Sequence, residues 1–368
     1  MPEKYRVAIF GRSGKGNYGH SIDTDWLQLS NCEVVAVCDE NRQGREAAAR
    51  RLYTKTMYTD YRQMLDETKP DIVAICPRWI DMHAEVAIAA AERGIHILTE
   101  KPFCRTPAEA DAIIAACEMR HIRLAIAHMT HYSPILATVR KLIRDGAIGN
   151  VLELRARGKE DHRGGGEDLW VLGSHLLDLI LALGYTPEWV FGDLLQDGRP
   201  VTKDDVREGP EGLGPLAGNQ LRAVYGLKGG ITATFQSYQN QGHSPGRYAL
   251  QIYGSEGIME ISEGALAPTY ILQDPTWCPA RSGAQWKRVS TAGIDRPETL
   301  KDARYDFRNV MTIEDLLSAI ENQRDPLCSM YEGRKVVEMT TGVFESYRIG
   351  GRVSFPLSVR DNPLIRLS

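Results

Sequence analysis

The chain has 368 residues, of which 43% are hydrophobic and 25% charged, so we expect a soluble globular protein with two domains. Its formal net charge of −4 gives no electrostatic reason to expect a nucleic-acid partner. No apolar run approaches the ~20 residues that a membrane-spanning helix needs, and the first ten residues do not have the order of a secretory signal. We therefore expect a cytoplasmic protein with no membrane partner.

The seven cysteines are scattered, odd in number and contain no C-x-x-C pair. Several of them lie in apolar runs typical of strands or helices. Reduced core cysteines in a cytosolic protein are therefore expected, rather than a disulfide framework or a zinc site.

The first third of the chain alternates short apolar runs with segments of helical period. Strands are predicted at 5–10, 33–38, 71–76, 95–98 and 123–127. Helices are predicted between them, near 18–29, 43–52, 82–93 and 107–120. Near-continuous apolar strands separated by amphipathic helices predict a doubly wound α/β domain, a Rossmann fold, over residues 1–125.

The remainder, residues 126–368, is predicted to be an α+β domain with a large, mainly antiparallel open sheet. Helices are predicted at 133–145, about 169–183, 307–322 and 331–348. Strands are predicted at 148–159, 188–195, 219–226, 231–239, 247–253, 257–262 and around 352–357. The "LKGG" between two of these strands indicates a hairpin. Residues 197–218 are rich in Gly, Pro and charge, which predicts a long mobile loop.

Directly after the first strand, residues 11–20 read "GRSGKGNYGH". With Gly11 as the first glycine of a dinucleotide fingerprint, the pattern is G-x-x-G-x-G and does not match. With Gly14 first, it is a literal G-x-G-x-x-G, and Asp39 lies twenty residues after Gly19, near the expected spacing. The second interpretation fits better and predicts an enlarged phosphate loop. In this loop Gly11 turns off the strand, and the later glycines bring backbone N–H groups and a helix N-terminus to a pyrophosphate.

The predicted cofactor is NAD, with NADP disfavoured. The Asp39 carboxylate would accept hydrogen bonds from ribose hydroxyls and repel a 2′-phosphate, although Arg42 lies close enough in the sequence to blur this choice. A glycine-rich surface turn is the alternative. The predicted cofactor-binding residues of the loop are Gly11, Arg12, Ser13, Gly14, Gly16, Asn17 and Gly19.

Four segments together resemble the glucose–fructose oxidoreductase/inositol dehydrogenase (Gfo/Idh/MocA) family over the whole chain. They are "AICPRWIDMHAEVAIAAAERGIHIL", "HILTEKPFCRTPAEA", "AHMTHYSP" and "GGGEDLWVLGSHLLDLI". The resemblance implies NAD(P)-dependent oxidation or reduction at a carbon of a sugar, cyclitol or related polyol. It also implies a homo-oligomer, a dimer or tetramer, formed through the sheet of the second domain. A redox-neutral NAD-dependent glycosidase or epimerase and a non-catalytic nucleotide-binding subunit are the alternatives.

Lys101, in the E-K-P turn, is the first predicted catalytic residue. It lies just past the carboxyl end of a strand, where doubly wound sheets bind ligands, and Pro102 favours an extended conformation for it. An ammonium beside a nicotinamide can hydrogen-bond the reacting hydroxyl and favour the developing alkoxide, with Glu100 orienting it. A surface salt bridge is the alternative. Further predicted cofactor-binding residues, besides Lys101 itself, are Pro77, Arg78, His83 and Glu100.

His175 and Asp178 are the other predicted catalytic residues, three apart on one helix face. The resemblance implies that His175 is the acid/base on the substrate hydroxyl, and an imidazole titrates near neutral pH. Many members of the family have an aspartate four residues before this histidine, where this chain has Val171. Either Asp178 orients His175, or Lys101 carries more of the proton transfer. The alternative is that His175 is a buried helix residue with no catalytic role.

The substrate-side candidates contact sugar hydroxyls or, for the tryptophan, stack on the ring. With His175, they are His128, Lys159, Asp161, His162 and Trp170. A sheet face exposed to solvent explains most of the charged residues in the segment 151–166 equally well. His128 and His131 have an i, i+3 spacing that could suit a metal, but no third ligand is apparent and hydride transfer needs none. No metal is predicted.

Overall fold

The computed structural model describes residues 4–244, 246–300 and 309–367. The chain divides into two units, each with its own sheet. Unit 1 contains the described residues of 1–129, 210–213 and 303–337, and unit 2 contains those of 130–209, 214–302 and 338–368.

Unit 1 is built on a parallel sheet. Its strands are β1 (Tyr5–Phe10), β2 (Cys32–Cys38), β3 (Met57–Tyr58), β4 (Ile72–Ile75), β5 (His96–Thr99) and β6 (Leu124–Ile126). They lie in the order β3-β2-β1-β4-β5-β6 and every pair is parallel. This is the strand order of a Rossmann fold, so the predicted doubly wound domain is confirmed. The order reverses between β1 and β4, and their carboxyl ends border the crevice where such sheets bind ligands.

Four helices connect these strands. They are α1 (Arg42–Arg51), α2 (Tyr61–Thr68), α3 (His83–Glu92) and α4 (Pro107–Met119). Local chemistry explains where they begin: the Asn41 side chain accepts a hydrogen bond from the Gly44 amide, and Thr106 caps α4 with Pro107 in its first turn.

The helix predicted at 18–29 is wrong. The structure has turns and one short 3₁₀ segment, Asp25–Gln28, in its place. Ser21 has a left-handed φ of +66°, and the Asp25 carboxylate accepts the Asn309 amide from a distant part of the chain (2.8 Å). Side chains that hydrogen-bond to backbone groups in this way offer alternatives to a helix.

Helix α9 (Val310–Glu321) lies in unit 1 although the predicted domain boundary places it in the second domain. Its Ile313, Leu316 and Leu317 join the buried cluster that also holds Trp26. Burial of this apolar face against the Rossmann core explains the assignment. Residues 307 and 308 of the predicted helix lie outside the described residues; α10 (Met330–Ile349) agrees with its prediction.

Unit 2 is built on a large mixed sheet. Its strands are β7 (Val151–Arg157), β8 (Pro187–Gln196), β9 (Arg199–Pro200), β12 (Gln220–Leu227), β13 (Thr232–Tyr238), β14 (Ala249–Gly254), β15 (Gly257–Ile261), β16 (Thr269–Leu272), β17 (Lys287–Ser290), β18 (Gly293–Ile294) and β19 (Val353–Ser354). Among the described strands of this sheet, only β7 and β13 pair in parallel, so the mainly antiparallel sheet is confirmed. The predicted hairpin is β12–β13. Strands β16 to β18 have no counterpart in the prediction.

The segment 197–218 contains more regular structure than the predicted loop. It holds β9 and a small hairpin, β10 (Arg207–Gly209) with β11 (Gly214–Leu216). The helices of unit 2 are α5 (Ile135–Arg144), α6 (Gly166–Asp168), α7 (Ser174–Ala182) and α8 (Pro279–Ser282). A π-helical turn, Leu169–Gly173, joins α6 to α7.

Across the described ranges, every helix is too short or too polar to cross a bilayer. All seven cysteines are free thiols, and six of them are buried.

We expect stability to fall between pH 7 and pH 5 because of His96, at the start of β5. Burial, and then the charge of Arg123, lowers the pKa of His96 to about 4, and its Nδ1 accepts the Arg123 amide (3.0 Å). The folded-state pKa is therefore below that of the unfolded chain. The contribution of neutral His96 to the free energy of unfolding is complete above about pH 6.5 and is lost as the pH falls towards 4. About 2 kcal/mol of it is lost between pH 7 and 5.

Urea unfolding of the wild type and of His96→Asn at a series of pH values measures this loss. The Asn side chain keeps a hydrogen-bond acceptor but does not titrate, so its free energy of unfolding lacks the His96 contribution. Equal pH dependence in the two proteins contradicts the prediction.

Candidate active site

The loop after β1 is a tight hairpin that its own backbone closes. The Arg12 amide donates to the Asn17 carbonyl (3.0 Å), and the Asn17 amide donates back to the Arg12 carbonyl (2.9 Å). Gly14 and Gly16 have φ values of +84° and +82°, a region that favours glycine. The sequence folds in this way because glycine occupies both positions.

Three glycines of the loop are required by close neighbours. A Cβ on Gly16 would lie 2.4 Å from the amide nitrogens of Arg78 and Trp79, which follow β4. A Cβ on Gly11 would lie 2.2 Å from the Tyr18 ring. A Cβ on Gly19 would lie 2.5 Å from the carbonyl oxygen of Cys76, which directly follows β4. The predicted turn at Gly11 is thus a packing site for Tyr18.

Asp39, just after β2, anchors this loop. Its Oδ2 accepts hydrogen bonds from the Ser13 amide (2.9 Å), the Ser13 hydroxyl (2.7 Å) and the Tyr18 hydroxyl (3.0 Å), and its Oδ1 accepts the Asn41 amide (2.9 Å). Burial, and then the Asp39 charge, raises the pKa of Tyr18. Asp39 is 1% exposed, so the donors around it are loop groups rather than ribose hydroxyls. Its contact with a ribose stays a prediction.

The cations of the loop differ in availability. The Arg12 guanidinium is buried and donates to Asp81 at 2.7 Å. Lys15 and Asn17 are exposed at the loop tip beside Gly14. Arg78 is half-buried, and its amide donates a hydrogen bond to the carbonyl of Gly16. Of these three cations, Lys15 is exposed, Arg78 is half-buried and Arg12 is buried.

Glu100 and Lys101 follow β5 at the same edge of the sheet and are both buried. Glu100 Oε1 accepts the His20 amide (2.9 Å) and lies 2.8 Å from His20 Nδ1, while Oε2 accepts the amide of Lys101 (2.9 Å). Burial alone would raise the pKa of Glu100, but the hydrogen bonds and charge of His20, with the charge of Lys101, bring the pKa below its usual value. Glu100 is thus ionised, and it orients the Lys101 backbone.

His20 was missed by sequence reasoning, although it directly follows the last fingerprint glycine.

His83 joins the two loops that border the crevice. Its Nε2 lies 2.7 Å from the Pro77 carbonyl oxygen and its Nδ1 lies 2.8 Å from the Pro102 carbonyl oxygen. The ring is 1% exposed. His83 therefore fastens the segment after β4 to the residue that follows Lys101, and the predicted contact with the cofactor stays a prediction.

The unit 1 residues fit a dinucleotide. The glycine turn at Gly14 opens to solvent, and the charges of Lys15 and Arg78 suit a diphosphate. The predicted contribution of a helix N-terminus is wrong, because the first α-helix after the loop begins only at Arg42. Backbone amides of the turn and these cations are the groups that would hold the phosphates.

In unit 2, His175 lies in the first turn of α7 and is 7% exposed. Its Nδ1 is 3.9 Å from Oε1 of Glu263, which follows β15. Val171 is buried in the π-helical turn and supplies no carboxylate. Sequence reasoning missed Glu263, and no motif marks it.

Asp178 lies against His131, whereas the sequence analysis considered it as a partner of His175. Nδ1 of His131 is 3.0 and 3.1 Å from the two carboxylate oxygens of Asp178. Both side chains are buried. The pair was not predicted, because no sequence signal links two residues that lie 47 positions apart.

Two of the substrate-side candidates of unit 2, Lys159 and His162, lie near a third, Asp161. Arg163 donates to both of its carboxylate oxygens, and these hydrogen bonds lower the pKa of Asp161 to about 2. Lys159 Nζ and His162 Nδ1 lie 3.9 and 3.8 Å from its oxygens. Lys159 and His162 are exposed. Trp170 is 3% exposed, so its ring is largely covered by the protein.

His128, the remaining candidate, follows β6 in unit 1 and is buried.

Asp168, at the end of α6, is fully buried. Its Oδ2 accepts the Ser237 hydroxyl (2.5 Å) and the Glu160 amide (3.0 Å). Burial raises the pKa of Asp168. Glu160 in turn accepts the guanidinium of Arg247 (2.9 Å) and pairs with Arg157 (2.9 Å). This network ties the end of β7 to β13.

Two family models match the chain. The model described as "Oxidoreductase family, NAD-binding Rossmann fold" matches residues 5–128. The model described as "GFO/IDH/MocA C-terminal domain" matches residues 136–260. Together these matches cover more than half of the chain.

Similar proteins are sugar dehydrogenases and an oxidoreductase. Levoglucosan dehydrogenase of Pseudarthrobacter phenanthrenivorans is 27% identical over 60% of this chain and 63% of its own length. D-apiose dehydrogenase of Paraburkholderia graminis is 32% identical over 34% of this chain and 33% of its own length. The matched regions thus span less than two thirds of either relative. The crystal structure of an oxidoreductase domain protein from Kribbella flavida is 25% identical, with a TM-score of 0.73, and covers 97% of this chain and 100% of that one.

Proposed function

Because the chain belongs to the GFO/IDH/MocA family of oxidoreductases, we propose that it is an NAD-dependent dehydrogenase acting on a hydroxyl-bearing carbon of a sugar, cyclitol or related polyol. The observation that carries this proposal is the buried Lys101 beside the ionised Glu100, after β5 of an NAD-binding Rossmann domain. The names of the similar levoglucosan and D-apiose dehydrogenases support a sugar as the substrate.

Bound NAD would supply the hydride acceptor for oxidation of the substrate carbon and the hydride donor for the reverse reaction. The Lys101 ammonium donates a hydrogen bond to the reacting oxygen and stabilises the negative charge that develops there. Glu100 holds the Lys101 backbone in place. His175 accepts the hydroxyl proton as general base, and a histidine can do so near neutral pH.

The glycines of the 11–19 loop, with Arg12, Ser13 and Asn17, form the phosphate end of the cofactor site. Pro77, Arg78 and His83 border the same crevice. A carboxylate at Asp39 opposes a 2′-phosphate, which supports NAD over NADP. On the substrate side, Lys159, Asp161, His162 and His128 contact sugar hydroxyls and Trp170 lies near the ring.

Incubation of the purified chain with NAD⁺ and a panel of sugars and cyclitols tests the proposal. We expect a steady absorbance increase at the wavelength of reduced nicotinamide with at least one of them. A panel that stays silent while NAD binds tightly contradicts it. Turnover of a glycoside without net reduced cofactor, with solvent deuterium in the product, favours the redox-neutral alternative.

The same proposal includes a cytosolic homo-oligomer formed through the open face of the unit 2 sheet. Phe191 on β8 and Tyr270 on β16 are 42% and 40% exposed. They lie on one cross-strand row of side chains that passes through Thr234 and Arg155. Sedimentation of the wild type and of Phe191→Glu tests this, since a charge at the row should shift a dimer or tetramer towards monomer. A wild type that sediments as a monomer contradicts it.

A further inference from the structure

The side chain of His175 lies opposite a carboxylate from a different part of unit 2. The 3.9 Å between His175 Nδ1 and Glu263 Oε1 is an ion-pair distance, longer than a hydrogen bond. The Glu263 side chain is 26% exposed and that of His175 is 8% exposed. Partial shielding from water makes the attraction between such charges stronger than at an open surface.

The turn that carries Glu263 is held in place on both sides. The Gly264 amide donates to the hydroxyl of Thr130 (2.9 Å), which is 3% exposed, and the Ser262 amide donates to the Pro268 carbonyl (3.0 Å). The position of the Glu263 backbone is therefore set by the fold.

Tyr248 contacts the π-helical turn and is affected by the charge of Glu263. Its hydroxyl donates to the Leu172 carbonyl in the π-helical turn (2.7 Å). Burial raises the pKa of Tyr248, and the charges of Glu263 and Asp168 raise it further. The Glu263 carboxylate thus lies at the corner where this turn enters the helix of His175.

Asp178 on α7 and Asp168 at the end of α6 have hydrogen-bond partners elsewhere in unit 2. Both oxygens of Asp178 face His131, and Oδ2 of Asp168 accepts the Ser237 hydroxyl. The carboxylate of Glu263, which lies within ion-pair distance of His175 Nδ1, is thus supplied by the β15–β16 turn.

We propose that Glu263 is a positioning residue for His175: its carboxylate accepts a hydrogen bond from Nδ1–H, so that Nε2 presents its lone pair to the substrate hydroxyl. This role rests on the proposed dehydrogenase function. A carboxylate on Nδ1–H selects one tautomer and stabilises the imidazolium that forms when Nε2 takes the hydroxyl proton. Closure by about 1 Å turns the ion pair into a hydrogen bond, and such bonds are often long before the substrate is bound.

Glu263→Gln is the test, because the amide keeps the size of the side chain and removes its charge. We expect kcat/KM to fall about 10- to 100-fold with the KM for NAD unchanged. The titration midpoint of the His175 ring, followed by ¹⁵N NMR of the imidazole, should fall by about one pH unit, since the imidazolium loses its counter-charge. Glu263→Asp, which keeps the charge, should recover part of both losses.

Other titratable groups near this corner stay intact in these variants, so the shift can be assigned. They are His131, Asp161, Asp168, Asp178, Tyr248 and Arg163. Glu256→Gln is the matched control: it removes an exposed carboxylate from the β14–β15 turn and should change neither measurement.

An unmoved His175 midpoint in Glu263→Gln overturns the inference, even where activity falls, because a residue that contacts only the sugar gives that result. The NMR titration needs no turnover. A shifted midpoint in a chain that is silent with every sugar supports the pairing while rejecting the dehydrogenase proposal.

Discussion

Lys101→Met should leave a folded, NAD-binding protein whose kcat/KM for the sugar is lower by about 10²- to 10⁴-fold. Methionine fills much of the volume of the buried lysine but has no charge and no N–H donor. The developing alkoxide then loses its nearest cation, while the Glu100 hydrogen bond to the backbone amide of residue 101 is retained. Initial rates, with NAD affinity and thermal unfolding measured on the same sample, check the prediction.

Two further variants separate chemistry from structure in this experiment. Lys55→Met removes an exposed lysine of unit 1 and should keep full activity. Lys101→Arg keeps the charge but presents it as a planar fork, so only partial recovery is expected. Activity of Lys101→Met within about threefold of the wild type would remove Lys101 from the mechanism.

The parallel sheet of unit 1 was predictable because five of its described strands are largely buried and so form nearly unbroken apolar runs. The short β3, with Met57 exposed and Tyr58 half-buried, was not predicted. The turns around 18–29 were not predictable. Their conformation depends on the Asn309 amide reaching Asp25 and on Glu100 accepting the His20 amide, contacts between residues 284 and 80 positions apart. Local periodicity carries no information on such contacts.

The candidate site divides in the same way. Lys101 was predictable because its motif follows a strand end, where position along the chain dictates position at the sheet edge. The partners of the histidines were not, since Glu263 and His131 come from segments far along the chain. Asp39 was found by its spacing, but its hydrogen bonds to Ser13 and Tyr18 follow only from the folded loop.

Gly16, in the loop after β1, is the site of the second substitution with a large expected effect. Gly16→Ala should lower the free energy of unfolding by roughly 2–5 kcal/mol, from a left-handed φ of +82° and a clash with backbone. The added Cβ would lie 2.4 Å from the amides of Arg78 and Trp79, which cannot rotate away. The loop must therefore move off the segment after β4, and NAD affinity should fall with stability. Chemical denaturation and NAD titration measure the two effects.

Gly14→Ala is the matched control, because the two glycines share the strained conformation and differ in their surroundings. Gly14 has a φ of +84°, yet a Cβ there would meet nothing within 4 Å. Its substitution should cost only the conformational strain, about 1–2 kcal/mol. The difference between the two variants thus isolates the close approach of the loop to Arg78 and Trp79. Equal losses would show that this contact contributes nothing to the stability of the loop, and the packing role of Gly16 would have to be abandoned.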